Sequence, residues 1–364
     1  MKDDMLKQAR ESINKIDTQL AELFVQRMRA VEQVAEYKKM HAMPIFNAQR
    51  EQQILEKAAQ RVEDVTLREY YVNFQQSLMA VSRSYQQRLI ASLRLAYSGT
   101  EGAFAHIAAS KLFPQAEKVA FGSFKEAYDS VSSGDCDAVV LPLENSFAGE
   151  VGQVTDLLFS GGLFINGITE LPVCHDLLAL PGVGLEDIEE VVSHPQALSQ
   201  CQGFIKKQGW TERSFENTAL AAEYVAKQGN KRLAAIASEE TAKLFDLTVL
   251  ARGINEAASN TTRFALLSRA ENRSICKQPG AHFVLMFTVR NEAGALASAL
   301  NIIGAHGFNM RTLRSRPMKE LLWQYYFYVE AEGDIHGYEG RCMLEELHLC
   351  CDRIKAVGSF LVQS

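Results

Sequence analysis

Apolar residues recur at Ile13, Ile16, Leu20, Leu23, Val31 and Val34, a spacing of threes and fours that defines one stripe of a long N-terminal helix. Such a stripe should pack against another helix. Three cations lie on or beside it: Arg10, Arg27 four positions after Leu23, and Lys38 four after Val34. A charge facing a core is costly unless an anion pairs with it, so the pattern predicts a positively lined pocket suited to a small dianion. Helical character continues through residue 88, interrupted at Pro44 in the loop HAMPIFN, and no glycine precedes Gly99. A second helix is predicted to begin near Asn47 and a third to run from about Val65 to Leu93.

The period then changes. From Arg94 to Arg269, short apolar strands (RLAYSG, AVVLPLE, EEVVSHP, LAAIAS, RFALLSR) alternate with amphipathic helices, the pattern of an α/β domain. A polar linker, AENRSICKQPGA, follows. Strand HFVLMFTV, helix ALASALNIIGAHG, strands MRTLRS and WQYYFYVEAEG, helix EGRCMLEELHL and strand AVGSFLV then read as βαββαβ, the ferredoxin-like order. The chain is therefore read as multidomain: all-α over 1–92, α/β over 93–272 and α+β over 280–364.

Composition narrows the classes. A length of 364 residues accommodates three cores, and a net charge of −6 gives no electrostatic reason to expect nucleic acid. No apolar run approaches the roughly 20 residues of a membrane span. The N-terminus is charged from Lys2 onward, so no signal peptide is expected, and seven scattered cysteines read as reduced thiols of a cytoplasmic protein. With no HxxxH or CxxC spacing, no metal or cofactor is expected.

Helix geometry decides which cations can cooperate. Lys38 follows Arg27 by eleven residues, about three turns or 16 Å along the same face. Arg10 lies about 25 Å from Arg27, so it should serve a second pocket, most simply one in a two-fold partner. Asn47 and Glu51 share a face with Arg50 beside them, and Ser82 and Gln86 share another. Singly, each could be an ordinary solvated residue. The stretches ARESINKIDTQLAELFVQRM, VAEYKK, MPIFNAQRE and SRSYQQ resemble the all-helical chorismate mutases. The resemblance implies that chorismate is rearranged to prephenate. Arg27 and a partner subunit's Arg10 would hold the two carboxylates, with Ser82 and Arg50 assisting. Lys38 and Gln86 would donate to the ether oxygen, and Glu51 would hold the ring hydroxyl. A pericyclic reaction of this kind needs restriction and electrostatic stabilisation but no nucleophile. Where the family usually has aspartate this chain has Asn47, which implies weakened mutase activity.

Five polar clusters follow the α/β strands: SGTEGAFAH, PLENS, SHPQ, ENTA and NTTRF. Singly each is also what a turn or helix cap contains. Together, in this order, they resemble prephenate dehydratase. That likeness implies two lobes like those of periplasmic binding proteins, with the active site in the cleft between them. Thr262 would be the central catalytic residue, with Glu144, Asn145 and His194 also catalytic. Ser193, Gln196, Thr218 and Arg263 would bind substrate. Thr100 stands where that family commonly has proline.

The βαββαβ tail resembles the ACT regulatory domain, through GALASAL (Gly294, Ala295, Leu296 onward) and SRP (Ser315, Arg316, Pro317). The likeness implies phenylalanine as an inhibitory effector bound near these residues at a dimer interface. Arg314 stands where the family motif has glutamate, a reversal of local charge. The whole chain thus resembles a bifunctional chorismate mutase–prephenate dehydratase acting as a homodimer or higher oligomer. Two other readings stay open: a dehydratase whose helical domain serves only dimerisation, and a two-lobed sensor without turnover.

Overall fold

The computed structural model describes residues 2–41, 43–90, 93–256, 260–318 and 324–363, and these form two compact units divided between Leu93 and Arg94. The first unit contains α1 (Lys2–Met40), α2 (Ala48–Arg61) and α3 (Val65–Ile90). Asn47 caps α2, its Oδ1 accepting from Arg50 N at 2.9 Å, and Asp64 Oδ1 accepts from Thr66 N at 2.8 Å at the head of α3. Ala35, Ala58 and Met79 are buried where α3 packs on α1 and α2. The third helix ends at Ile90 among the described residues; Ala91 and Ser92 lie outside them.

Within the helical unit the α1 stripe is left uncovered by α2 and α3. Ile13, Ile16, Leu20 and Leu23 are 47–59% exposed. The cause is length: α1 has 39 residues and α3 has 26, about 58 Å against 39 Å.

The second unit begins with a lobe built from β1 (Arg94–Ser98), α4 (Phe104–Leu112), β2 (Glu117–Phe121), α5 (Phe124–Ser133), β3 (Ala138–Asn145), β4 (Gly149–Glu150), α6 (Gly152–Ser160) and β5 (Phe164–Pro172). The chain then crosses into a second lobe. This comprises β6 (Asp176–Ala179), β7 (Glu190–Ser193), α7 (Pro195–Gln200), α8 (Gln202–Gln208), β8 (Thr211–Ser214), α9 (Thr218–Gln228), β9 (Leu233–Ala237), α10 (Glu239–Leu244) and β10 (Thr248–Ala251). It returns through β11 (Thr261–Ser268), which sits between β5 and β3 of the first lobe. The second lobe's sheet has the order β10-β6-β9-β7-β8.

The C-terminal domain follows as β12 (His282–Val289), α11 (Ala295–Ala305), β13 (Asn309–Pro317), β14 (Tyr325–Glu332), α12 (Tyr338–Leu347) and β15 (Cys351–Phe360), with sheet order β13-β14-β12-β15. This is the expected βαββαβ arrangement; Trp323, placed at the start of a strand by its sequence, lies outside the described residues. One sheet face carries Phe283, Leu285, Phe287 and Val329 against α11 and α12. The other carries Val284, Met286, Tyr326, Tyr328 and Val357 against the first lobe.

The polar linker does not hold these parts at a distance. Cys276 is buried within it, Tyr326 stacks on Phe159 at 4.3 Å, and Lys355 Nζ donates to Gly161 O at 2.5 Å. Gly358 is required where β15 meets β5: its φ is +135°, and a Cβ there would lie 2.3 Å from Ile165 O. A last strand, β16 (Val362–Gln363), pairs in parallel with β5 at the edge of the first lobe's sheet.

Candidate active sites

In the helical unit, Arg27 is half-buried and its Nη1 donates to Ser82 Oγ, which in turn donates to Leu78 O at 2.7 Å. Burial lowers the proton affinity of Arg27. Gln86, one turn beyond Ser82, is buried, and its Oε1 has no hydrogen-bond partner. A buried amide oxygen left unpaired is costly. Lys38 Nζ donates to Ile45 O at 2.6 Å, which ties α1 to the loop before α2.

Other nominated residues have structural duties. The Asn47 oxygen already caps α2, leaving one lone pair for a substrate hydroxyl. Glu51 is paired with Arg83 at 2.5 Å. Arg83 was missed, although it lies inside SRSYQQ, because helix spacing alone gives no sign of a partner on another helix. Arg10 and Arg50 are exposed.

The second unit has a cavity of about 310 Å³ between its lobes. Ser98, Pro142, Asn145, Thr262 and Phe264 line it from the first lobe. His175, His194, Gln196, Asn217 and Thr218 line it from the second lobe and the crossing segments. The N-terminal ends of α4, α6 and α9 face it through Phe104, Val151 and Thr218. Among the described residues its lining contains no lysine or arginine, so helix N-terminal amides and neutral donors are what it offers to a carboxylate.

Hydrogen bonds fix the polarity of this site. Asn145 Oδ1 accepts from Phe147 N at 3.0 Å and Ala148 N at 2.8 Å, so its Nδ2 must point the other way. That Nδ2 donates to Thr262 Oγ1 at 2.9 Å and to Asn260 Oδ1 at 2.7 Å. Asn260 Nδ2 donates to Gln200 Oε1 at 3.1 Å, and His175 Nε2 lies 2.8 Å from the same oxygen. Each amide orients the next, so His175 carries its proton on Nε2 and leaves Nδ1 as an unpartnered acceptor. Burial pushes its pKa down and keeps it neutral. His194 is also pushed down by burial, and its Nδ1 accepts from Gln196 N at 3.2 Å. It therefore presents Nε2–H. Thr262 accepts from Asn145, so its hydroxyl hydrogen is free to point into the cavity.

Three nominated residues are not part of this cleft. Thr262 pairs with Asn145 in the ladder and Arg263 with Glu144, and successive strand residues face opposite sides of a sheet. Arg263 and Glu144 therefore face the C-terminal domain. Arg263 makes two 3.0 Å hydrogen bonds to the carboxylate of Glu330 and lies 3.6 Å from Glu144, while Arg314 pairs with Glu144 at 2.5 Å. Ser193 is fully buried, and its Oγ donates to Ile236 O at 2.5 Å. It secures β7 to β9 rather than lining the cavity. His175 and Gln200 were missed; the only signal was a histidine directly before the apolar strand β6.

In the regulatory region Gly294 opens α11 with φ +85°, a left-handed conformation that favours glycine. Ala295 and Leu296 form the first turn. Alternation along β13 leaves Ser315 exposed and turns Arg314 and Arg316 toward the first lobe, where Arg316 bonds Asp156 at 3.1 Å. Both arginines thus contact the first lobe.

Comparison with known proteins matches the type II chorismate mutase family over residues 9–87 and the prephenate dehydratase family over 95–272. The bifunctional chorismate mutase/prephenate dehydratase of Buchnera aphidicola subsp. Schizaphis graminum is 32% identical over 99% of this chain and 97% of its own. Among solved structures, a protein described as GqqA, a novel type of quorum quenching acylase, is 31% identical with a TM-score of 0.69 over 74% of this chain and 98% of its own. Prephenate dehydratase from Arthrobacter aurescens in complex with L-Phe is 26% identical, with a TM-score of 0.67 over 74% and 90% respectively.

Proposed function

The chain belongs to the bifunctional chorismate mutase/prephenate dehydratase family, and from that premise we propose which residues carry the two reactions and how they are controlled. The enzyme rearranges chorismate to prephenate and converts prephenate to phenylpyruvate in phenylalanine biosynthesis.

In the mutase site, Arg27 and Ser82 receive one carboxylate, and Lys38 and Gln86 donate to the ether oxygen as its bond breaks. The burial of Gln86 one turn beyond Ser82, on the face that carries the Arg27 contact, supports this reading. A homodimer supplies Arg10 from the partner subunit. The support is the bare α1 stripe: covering Ile13, Ile16, Leu20 and Leu23 would contribute about 0.8–1.5 kcal/mol per side chain, half of a full burial.

In the dehydratase cleft, prephenate loses CO₂ and hydroxide. The electron pair of the breaking C–C bond aromatises the ring as the ring C–O bond breaks. The Thr262 hydroxyl and His194 Nε2–H donate hydrogen bonds to the departing oxygen, and Asn145 holds Thr262 in position. His175 Nδ1 accepts from the substrate. The observation that carries this assignment is the free hydroxyl hydrogen of Thr262, fixed by the Asn145 amide. Glu144 and Arg263 act from behind the sheet as positioning residues.

Phenylalanine, at the α11 end of the C-terminal domain, acts on the cleft through the contacts among Arg314, Glu144 and Arg263. Each of the last two directly adjoins a cleft residue, Asn145 and Thr262. Replacing Arg314 with glutamate sets like charges together at Glu144, and the phenylalanine concentration for half-inhibition should change by at least about fivefold. Arg314→Lys, which keeps the cation beside Glu144, should keep much of the inhibition. Unchanged inhibition in the single variant would refute this route.

No helix among the described residues is long and apolar enough to cross a membrane. The free cysteines suit a reducing, cytoplasmic setting. Chorismate consumption and phenylpyruvate formation, each followed with and without phenylalanine, test the assignment. If phenylalanine leaves both rates unchanged, the regulatory part fails.

A further inference from the structure

We propose that Glu271, Cys276 and His336 bind one zinc ion, which fastens the segment after β11 to the C-terminal domain. A carboxylate oxygen, the thiol sulfur and an imidazole nitrogen of these residues lie within 4.8 Å of one another. Zinc takes oxygen and nitrogen ligands at about 2.0–2.2 Å and thiolate at about 2.3 Å, so its ligand atoms stand about 3.3–3.8 Å apart. The three atoms need only small side-chain movements to meet that geometry.

The surroundings favour a cation. Glu271 has a side-chain exposure of 7% and Cys276 is 4% exposed, so neither group is freely hydrated. Glu271 Oε2 lies 3.1 Å from Arg273 Nε, on a side chain that is 74% exposed. The other oxygen, Oε1, is 2.6 Å from His336 Nε2. The Cys276 thiol has no hydrogen-bond partner among the described residues. A thiolate, a carboxylate and a neutral imidazole balance the charge of a divalent ion, and this donor set suits zinc better than magnesium or calcium. Water would occupy the fourth position.

The ligands sit on braced turns. Asn272 N donates to Asn166 Oδ1 at 2.7 Å, and Gln278 N donates to Ile275 O at 2.9 Å. His336 N donates to Asp334 Oδ1 at 2.9 Å. No short spacing announces the site, because His336 comes from the turn between β14 and α12 and the other two ligands from the segment after β11. That segment continues from the strand bearing Thr262, so the ion would fix the catalytic strand's exit to the regulatory domain.

The full-length protein, stripped of metal and titrated with zinc against a chromophoric chelator, should bind one ion per chain. Cys276→Ser and His336→Gln should each weaken binding by about tenfold or more, while the paired change Cys350→Ser, Cys351→Ser should not. In the cobalt-loaded wild type a thiolate charge-transfer band should appear and vanish in Cys276→Ser. If that variant does not fold, the wild type alone decides, because zinc should slow alkylation of Cys276 and leave exposed Cys174 unaffected. Absence of binding would overturn the site and leave Glu271 and His336 as a hydrogen-bonded pair. Binding that is indifferent to Cys276 and His336 would overturn it equally.

Discussion

Thr262→Ala should cut the turnover of prephenate to phenylpyruvate by about two to three orders of magnitude, the cost of removing one preorganised donor aimed at developing charge. Thr262 is 8% exposed, and its hydroxyl oxygen already accepts from Asn145. Losing the hydroxyl therefore removes the donor and also strands the Asn145 amide. Thr262→Ser should keep most of the rate, since it keeps the hydroxyl. Mutase activity should be untouched in both. Glu144→Gln separates this assignment from a general sensitivity of the strand. Glu144 neighbours Asn145 in sequence but faces the C-terminal domain, so its loss of charge should change phenylalanine response more than turnover. If Thr262→Ala retains more than a tenth of the wild-type rate, the hydroxyl is not the principal donor. A two-lobed sensor without turnover would show no such loss at all.

The contrast between Thr262 and Glu144 also shows what the chain's pattern could reveal. Periodicity placed the three helices, the alternation of strands and helices, and the βαββαβ tail, because each element's period follows directly from backbone geometry. It could not show which lobe a cluster faces. Glu144 and Arg263 stand beside Asn145 and Thr262 in the chain, and only the pleat and register of β3 against β11 send them to the other side. The nearly unbroken apolar run HFVLMFTV was a signal in plain view: a strand covered on one face alone would alternate, and this one is buried on both. His175 was hidden for a different reason. Its importance lies in a relay of amides from three distant segments, and no local pattern encodes such a relay.

The mutase half turns on whether one helix serves two sites. Arg27 and Ser82 are bonded within a chain, whereas Arg10 lies about 25 Å away along the same straight helix and is exposed. Arg27→Ala should lower mutase kcat/KM by about 10²-fold or more, the usual loss when a desolvated carboxylate loses its charged partner. Arg10→Ala should do the same, although nothing in its own chain explains why. Mixing the two variants under conditions of subunit exchange distinguishes a shared site from two unrelated defects. Random exchange makes half the dimers mixed, and a mixed dimer holds one site with both arginines intact and one with neither. Activity should therefore recover to about a quarter of wild type. An exchange-dependent rise of that size requires Arg10 to act across the dimer. If the mixture stays at the level of the separate variants while exchange is demonstrated independently, Arg10 serves its own chain or none. The bare stripe of α1 would then need a different partner.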